Sequence, residues 1–242
     1  MNPENFIVKT VRGVVRSQGF DVVYFAPPAK LLEQVDLILD VGANNGQSYE
    51  RFRNLGYEGP IISFEPNPDT FEQLSRKHGT KWEKFQYALS NEKGERDFII
   101  AESTQHSSFH RGIERFHGDA CREKSRVKVQ MTTIEDFWKT QKIQATHVYL
   151  KVDTEGHDLE VAKGAQAMFN FIDFVEMEIC SIPRYEGEST FIEAVNFMND
   201  HGFKIARIDV ACVNRVTGRH EAFSVVFNKT ADNAPSNNAQ KN

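Results

Sequence analysis

Residues 35–41, VDLILDV, form a near-continuous apolar run, as expected of a strand buried on both faces of a parallel sheet. Parallel neighbours need crossover connections, usually helices. The sequence supplies them: residues 47–55 read as a short helix, Pro60 introduces a second strand at 61–64, and Pro68 opens a second helix through Lys77. Alternation of this kind predicts an α/β fold around a parallel, helix-covered sheet. It resumes later with a helix capped by Thr132 or Thr133, with Asp136 three residues after Thr133. A strand at 147–153, a helix at 157–168, a strand at 174–179 and a helix at 190–201 follow, the last stopped by Gly202. Strands at 203–210 and 222–227, on either side of the Gly218 turn, make an antiparallel hairpin.

The middle and the ends are less regular. A third strand is expected near 85–89, and the turn at 91–94 starts a hairpin-like run at 97–100. Residues 102–126 are polar and rich in Ser, His and Arg, a length without clear periodicity that reads as a lid or as disorder; order resumes at 127–131. At the N-terminus Asn2 is placed to cap a helix, with Pro3 in its first position, Glu4 in its first turn and Ile7, Val11, Val14 and Val15 at helical spacing. Residues 1–30 are therefore expected to pack on the main domain, and the polar tail 230–242 to be disordered. The length of 242 residues alone permits one or two domains. Because the motifs of a single crevice come from both halves, residues 31–229 are read as one domain carrying the insert 102–126.

With 29 basic and 34 acidic residues the net charge is -5, so the chain lacks the global basic field of most nucleic-acid and anionic-membrane binders. Cys121, Cys180 and Cys212 are odd in number and contain no CxxC pair, which excludes a disulfide framework and a zinc ribbon and suits a reducing cytoplasm. The start, MNPENF, has no signal pattern and no apolar run approaches a membrane span. A soluble, unprocessed cytoplasmic chain is expected.

Three motifs carry chemistry. Between the first strand and helix lies DVGANNGQ, residues 40–47, in which Gly42 permits close backbone approach to a ligand, Asn44 and Asn45 tolerate unusual φ, and Gly46 allows sharp entry into the helix. Asp40, Gly42, Ala43, Asn44 and Gly46 thus make a candidate cofactor loop, set against the plainer reading of a tight turn with no ligand. A dinucleotide fingerprint would need glycine where this chain has Asn44, which counts against an NAD-dependent oxidoreductase. The second strand ends in FEPNP, placing Glu65, with Pro66 and Asn67 beside it, where a carboxylate accepts hydrogen bonds from ribose hydroxyls. The third, KVDTEGHD at 151–158, puts Lys151 and Asp153 on one face of a strand, with Asp153 at its carboxyl end and Lys151 its nearest partner. Glu155 and Asp158 open the next helix, where carboxylates also favour the positive end of the dipole.

Taken in order, DVGANNGQ, FEPNP, YALSN at 87–91, LKVDTEGHDLEVAKGA at 150–165 and VEMEI at 175–179 resemble the FkbM family of S-adenosylmethionine-dependent methyltransferases, over roughly residues 36–227. The resemblance implies a Rossmann-like class I methyltransferase fold: a mostly parallel seven-stranded sheet, helices on both faces and an antiparallel last strand. It also implies O-methylation of a hydroxyl on a sugar, polyketide or other small molecule. Carried over by position, the loop from Asp40 to Gly46 would hold the methionine part of the cofactor and Glu65 its ribose. Tyr87 and Ala88 would lie against the adenine, with Asp153 and Glu155 facing the reacting centre. Many members have glutamate where this chain has Asp158, which puts any shared catalytic role there in doubt. A binding module that keeps the fold without catalysis is the remaining alternative.

Methyl transfer to a hydroxyl is positioning catalysis aided by a base. Asp153, His157 and Glu178 are candidates, all at or just beyond carboxyl ends of strands; a histidine in a first helical turn is also commonly a surface or satisfied residue. Asp153 with Glu178 would alternatively suit Mg²⁺. His106, His110, His117 and Cys121, spaced pairwise by four, are ligand types zinc takes if a helix brings them together. From Arg111 to Lys128 six basic residues face three acidic ones. That is either a solvated loop or a lid attracting an acidic or phosphorylated sugar, with Ser107 and Ser108 touching substrate. Phe64, Phe137, Phe169 and Phe223 are read as core.

Overall fold

The computed structural model of the protein describes residues 29–214 and 216–230. The helix expected from Asn2 and the tail beyond Thr230 lie outside the described residues. The chain divides into a unit Met1–Glu33, of which a helical turn, Ala29–Leu32, is described, and a unit Gln34–Asn242.

The second unit is built on a seven-stranded sheet. Its strands are β1 (Leu37–Val41), β2 (Ile61–Phe64), β3 (Trp82–Phe85), β7 (Val148–Val152), β8 (Ile172–Cys180), β9 (Phe203–Val213) and β10 (His220–Lys229), in the order β3-β2-β1-β7-β8-β10-β9. All pairings from β3 through to β8 are parallel, and β10 inserts antiparallel between β8 and β9. Every residue of β1, β2 and β7 is buried, which is why these segments read as continuous apolar runs. The helices are α1 (Gln47–Asn54), α2 (Pro68–Ser75), α3 (Ile134–Gln141), α4 (Asp158–Gly164) and α5 (Phe191–Asp200). From β1 the chain steps outward through α1 and α2 to β3, and from β7 it steps the other way through α4 to β8. Right-handed crossovers in opposite directions place these helices on opposite faces.

Local chemistry explains the boundaries. Asn67 caps α2 by accepting from Asp69 N, 3.1 Å, with Pro68 in the first helical position. Thr133 accepts from Asp136 N at 3.0 Å to start α3, and Thr190 with Glu193 forms a capping box on α5. The main core joins the inner faces of sheet and helices and includes Phe64, Phe137 and Phe169, with Phe223 packed against it. Phe64 and Phe85 both meet Phe137 edge to face, at centroid distances of 4.7 and 4.9 Å.

The expected third strand is in fact two. Trp82–Phe85 belongs to the main sheet, whereas Ala88–Leu89 (β4) joins a second sheet of order β4-β6-β5. The turn at 91–94 does not link paired strands: β5 (Gly94–Ala101) pairs antiparallel with β6 (Glu123–Thr132), across the insert. The insert itself is short helical turns, Thr104–His106, Glu114–His117 and Gly118–Cys121, tied in by bridges Ile99↔Ser108 and Gly112↔Tyr185.

Candidate active site

Sheet order reverses at β1, with β2 on one side and β7 on the other, and the crevice beyond the strands' carboxyl ends at such a point is where open α/β sheets take ligands. A cavity of about 310 Å³ opens there. One wall is the loop after β1. Gly42 has φ +76°, and a Cβ on it would lie 1.9 Å from the carbonyl oxygen of Asp153. The glycine is thus required by the close pairing of the β1 and β7 ends, where Asp153 N also donates to Val41 O at 3.0 Å, rather than by a ligand. Gly46, φ +82°, turns the chain into α1 with its Cα against the Trp82 ring.

Glu65 closes the next side. Its buried carboxylate accepts from Asn44 N and Asn67 N, each at 2.9 Å, tying the loops after β1 and β2 together. Burial outweighs these two bonds and pushes its pKa up to about 7. Beneath the cavity, Asp40 and Lys151 face each other from paired positions of β1 and β7. The ammonium lies 3.2 Å from Asp40 Oδ1 and 3.5 Å from Asp153 Oδ2, and donates to Gly42 O at 3.2 Å. Burial alone would lower the lysine's pKa, but the Asp153 and Asp40 carboxylates win and raise it. Ser63 Oγ donates to Asp40 Oδ2 at 3.0 Å.

Of the sequence-predicted residues, Gly42, Ala43, Asn44, Glu65, Pro66, Tyr87, Ala88, Asp153, Glu155, His157 and Glu178 line this cavity together. Asp40, Gly46 and Asn67 are absent from its lining: Asp40 is a fully buried counter-ion in the floor, Gly46 packs on Trp82, and Asn67 caps α2. Leu89, Phe98, Thr104, Gln105 and Phe109 complete the wall. Leu89 belongs to the YALSN stretch and the insert reads as a lid, but the sequence does not single out Phe98, Thr104, Gln105 and Phe109, because the second sheet sets which residues of β5 and the insert face the site.

The loop after β7 is held by groups distant in sequence. Glu155 has φ +55°, a left-handed conformation costly for a non-glycine residue, and three contacts keep it there. Ser108 Oγ donates to its carbonyl at 2.6 Å, the fully buried Tyr185 hydroxyl donates to its carboxylate, and His106 Nδ1 lies 3.8 Å from that carboxylate. Asp158 accepts from Thr154 N, Thr154 Oγ1 and Glu178 N at 3.1, 2.8 and 3.3 Å. It braces the β7 loop against β8, and burial followed by the Asp153 charge raises it to about 8. Glu178 pairs with Arg184, yet burial and then Asp153 push it up to about 7.

His157 is a buried link in a chain of bonds. His110 Nδ1 donates to Glu186 O at 2.8 Å, its Nε2 lies 3.1 Å from His157 Nδ1, and His157 Nε2 lies 2.9 Å from Ser90 Oγ. Burial and His110 lower His157 to about 3. With both nitrogens engaged, His157 fastens the insert from within the cavity wall.

The zinc expectation fails. His106 and His117 rings lie 4.4 Å apart, His110 faces His157, and Cys121 Sγ donates to Gly118 O, because the four-residue spacings do not share a helix. Among the described residues no group of three or more His, Cys, Asp or Glu is placed to hold a metal. The Mg²⁺ reading goes with it, since Asp153 and Glu178 each face a protein cation. None of the six basic residues from Arg111 to Lys128 lines the cavity; Arg111 and Arg126 pair with Glu123, Arg122 with Asp119, and Lys128 with Asp97. Ser108 is committed to Glu155, and Ser107 Oγ, which does line the cavity, accepts from Ala101 N at 3.1 Å. No helix among the described residues is long and apolar enough to cross a membrane.

A parallel sheet with its last strand inserted antiparallel, and a ligand crevice at the β1/β7 reversal, define a Rossmann-like class I methyltransferase fold. Residues 40–205 match the Methyltransferase FkbM domain, and the chain belongs to this family, which sets the oxidoreductase alternative aside. It is 31% identical over 155 residues to the hexuronic acid methyltransferase AglP of Haloferax volcanii, a match covering 61% of this chain and 57% of that protein. It is 23% identical over 177 residues to the 2-O-methyltransferase NoeI of Sinorhizobium fredii, covering 65% of this chain and 69% of that protein. A solved structure of magnesium protoporphyrin IX methyltransferase from Synechocystis PCC 6803 is a distant likeness, with TM-score 0.46, 9% identity and coverage of 94% and 80%.

Proposed function

We propose that this protein is an S-adenosylmethionine-dependent O-methyltransferase acting on a hydroxyl of a sugar-type acceptor. The observation that carries the reading is Glu65. An ionised carboxylate has about four lone-pair positions, and the two amide donors at 2.9 Å leave one on each oxygen, a match for a vicinal ribose diol at the edge of the cavity. The loop beside it fits the cofactor's amino-acid end, since Asn44 Oδ1 is buried without a hydrogen bond in the protein and suits an ammonium donor. Tyr87, Ala88, Leu89, Phe98 and Phe109 offer the apolar surface that an adenine needs. When bound, S-adenosylmethionine supplies an electrophilic methyl group whose bonding electron pair stays on sulfur.

The chain's own residues then position the acceptor and take its proton. Glu178, raised to about 7, is basic enough to accept the hydroxyl proton as the oxygen bonds to carbon. Asp153, held by Lys151, and Glu155, held by Tyr185, orient the acceptor. The relatives named for hexuronic acid and 2-O-methylation support a sugar hydroxyl as the target. Isothermal titration with S-adenosylhomocysteine and with NADH tests the cofactor: one-to-one binding of the former is expected. Tight NADH binding with no response to S-adenosylhomocysteine would overturn the reading.

A further inference from the structure

Two reactants must meet, and among the described residues two cavities share a common wall. Beside the first lies a second of about 370 Å³, lined by Gln47, Ser48, Arg51, Lys151, Val152, Asp153, Glu176, Glu178 and Ser224. Gln47, Ser48, Lys151, Asp153 and Glu178 line both. What is private to the first cavity comes from the end of β1, the loops after β1 and β2, β4 and its approach, β5 and the insert, which suit the nucleoside, and from the β7 loop, whose Glu155 would meet the reacting centre from that side. What is private to the second is Arg51, Val152, Glu176 and Ser224, from α1 and from the β7, β8 and β10 side of the sheet. The candidate base therefore stands where the two spaces join.

The second cavity has a rigid base. Glu176 receives both terminal nitrogens of Arg51 at 2.7 and 2.8 Å, the Tyr149 hydroxyl at 2.7 Å and Ser224 Oγ at 3.0 Å. These contacts overcome its burial and hold its pKa down at about 2. The Arg51 charge is spent on Glu176 and the Lys151 charge on Asp40 and Asp153. What faces the space is the hydroxyls of Ser48 and Ser224 and the amide of Gln47 beside three carboxylates and their two paired cations, with Val152 as the sole apolar side chain among the described lining residues. Hydroxyl groups, which both donate and accept, satisfy such a lining; a flat aromatic or long apolar molecule would leave its polar groups unpaired.

We infer that the second cavity is the acceptor site and that it takes a polyhydroxylated, pyranose-type ring, presenting one hydroxyl to Glu178 and Asp153 at the shared wall. This rests on the methyltransferase reading above. It also places the acceptor on the sheet side of Lys151, away from the charged outer part of the insert.

The test uses the full chain with S-adenosylmethionine and three probes: methyl glucopyranoside, methyl glucuronide and catechol. Methylation of either glycoside in preference to catechol is expected. Ser224→Leu, which pushes a branched side chain into the second cavity, should raise the glycoside KM at least tenfold while leaving S-adenosylhomocysteine affinity within twofold, because Ser224 does not line the first cavity. A crystal of the wild-type protein soaked with S-adenosylhomocysteine and the methylated probe should show the sugar against Ser224 and Glu178, independently of how the variant folds. Preference for catechol, methylation of no glycoside, a Ser224→Leu KM equal to wild type, or sugar density elsewhere would each overturn the inference while cofactor binding stood. Loss of S-adenosylhomocysteine binding by the wild-type protein would instead sink the methyltransferase reading.

Discussion

Lowering the pH from 8 to 6 titrates Glu65 in the unliganded protein. With its pKa at about 7, the carboxyl is ionised in about ten of eleven molecules at pH 8 and in about one of eleven at pH 6. A carboxylate that accepts ribose hydroxyls in addition to Asn44 N and Asn67 N is favoured in its charged form, so cofactor binding lowers its pKa and expels a proton. Affinity is then full above pH 7 and falls as the pH drops below it. The two ionised fractions differ about tenfold, so the dissociation constant of S-adenosylhomocysteine should rise about tenfold, or about 1.4 kcal/mol, between pH 8 and pH 6. Titration calorimetry in two buffers of different ionisation enthalpy reads the affinity and the proton count together, and close to one proton should be released per ligand at pH 6. Glu65→Gln removes the titrating group. Its affinity should be flat across this range, and at pH 8 weaker than wild type by about 1–3 kcal/mol through loss of charge-assisted hydrogen bonds. A wild-type affinity that is constant from pH 6 to 8, or stronger at pH 6, would refute the assignment of Glu65 to the ribose.

Gly42→Ala puts a Cβ 1.9 Å from Asp153 O at φ +76°. Left-handed strain of about 1–2 kcal/mol and displacement of the β7 end by about 1–3 kcal/mol more should lower the urea midpoint; an unchanged midpoint would contradict the close approach. Tyr185→Phe keeps the buried ring but drops the hydroxyl bonded to Glu155, so kcat should fall about tenfold, as for loss of a bond of about 1.5 kcal/mol to a charged group, with cofactor affinity within twofold. Wild-type turnover in that variant would remove Glu155 from acceptor positioning. Asp158, at about 8 when folded and about 3.9 unfolded, binds its proton more tightly in the native state. Its contribution is complete below the unfolded pKa and is lost as the pH rises through the folded one. Between pH 7.5 and 8.5, where His157 is neutral when folded and, at the ordinary histidine pKa of about 6.5, about nine-tenths or more neutral when unfolded, the wild-type urea midpoint should decline, and Asp158→Asn should decline less; a steeper decline in the variant would show that Asp158 is not buried as described.

The main sheet was legible because its central strands announce themselves. Residues 61–64 and 148–152 are wholly buried, and continuous apolar runs next to Pro60 or a helix cap leave little choice of structure. The first loop and Glu65 were legible as a site, since position at a strand's carboxyl end is a local property. Three things were not. From Phe85 to Leu89 only Gln86 interrupts the apolar and aromatic residues, so nothing in their periodicity shows that Phe85 pairs with Phe64 and Ala88 with Met131. A second reason for Gly42 could not be read, because the group it must avoid, Asp153 O, lies over a hundred residues away. Tyr185, in the stretch SIPRYEG, has no repeat or motif to mark it; the signal was a lone aromatic between Pro183 and Gly187, and its partner Glu155 could be named only from coordinates.

The insert between β5 and β6 is stitched to the β7 loop at its N-terminal part, through Ser108 to Glu155 and His110 to His157, and to the segment after β8 through Arg111 and Ile113. Beyond those stitches, residues 114–120 hold none of the cavity's lining, and of them His117 packs its ring near those of His106 and Tyr185, at 4.4 and 5.1 Å. The two stretches therefore differ in their physical freedom to vary. The anchored part can change only together with the β7 loop, while the outer turns, His117 apart, have room to lengthen, shorten or exchange charge. Such a division lets the mouth of the site be remodelled without disturbing the geometry inside it.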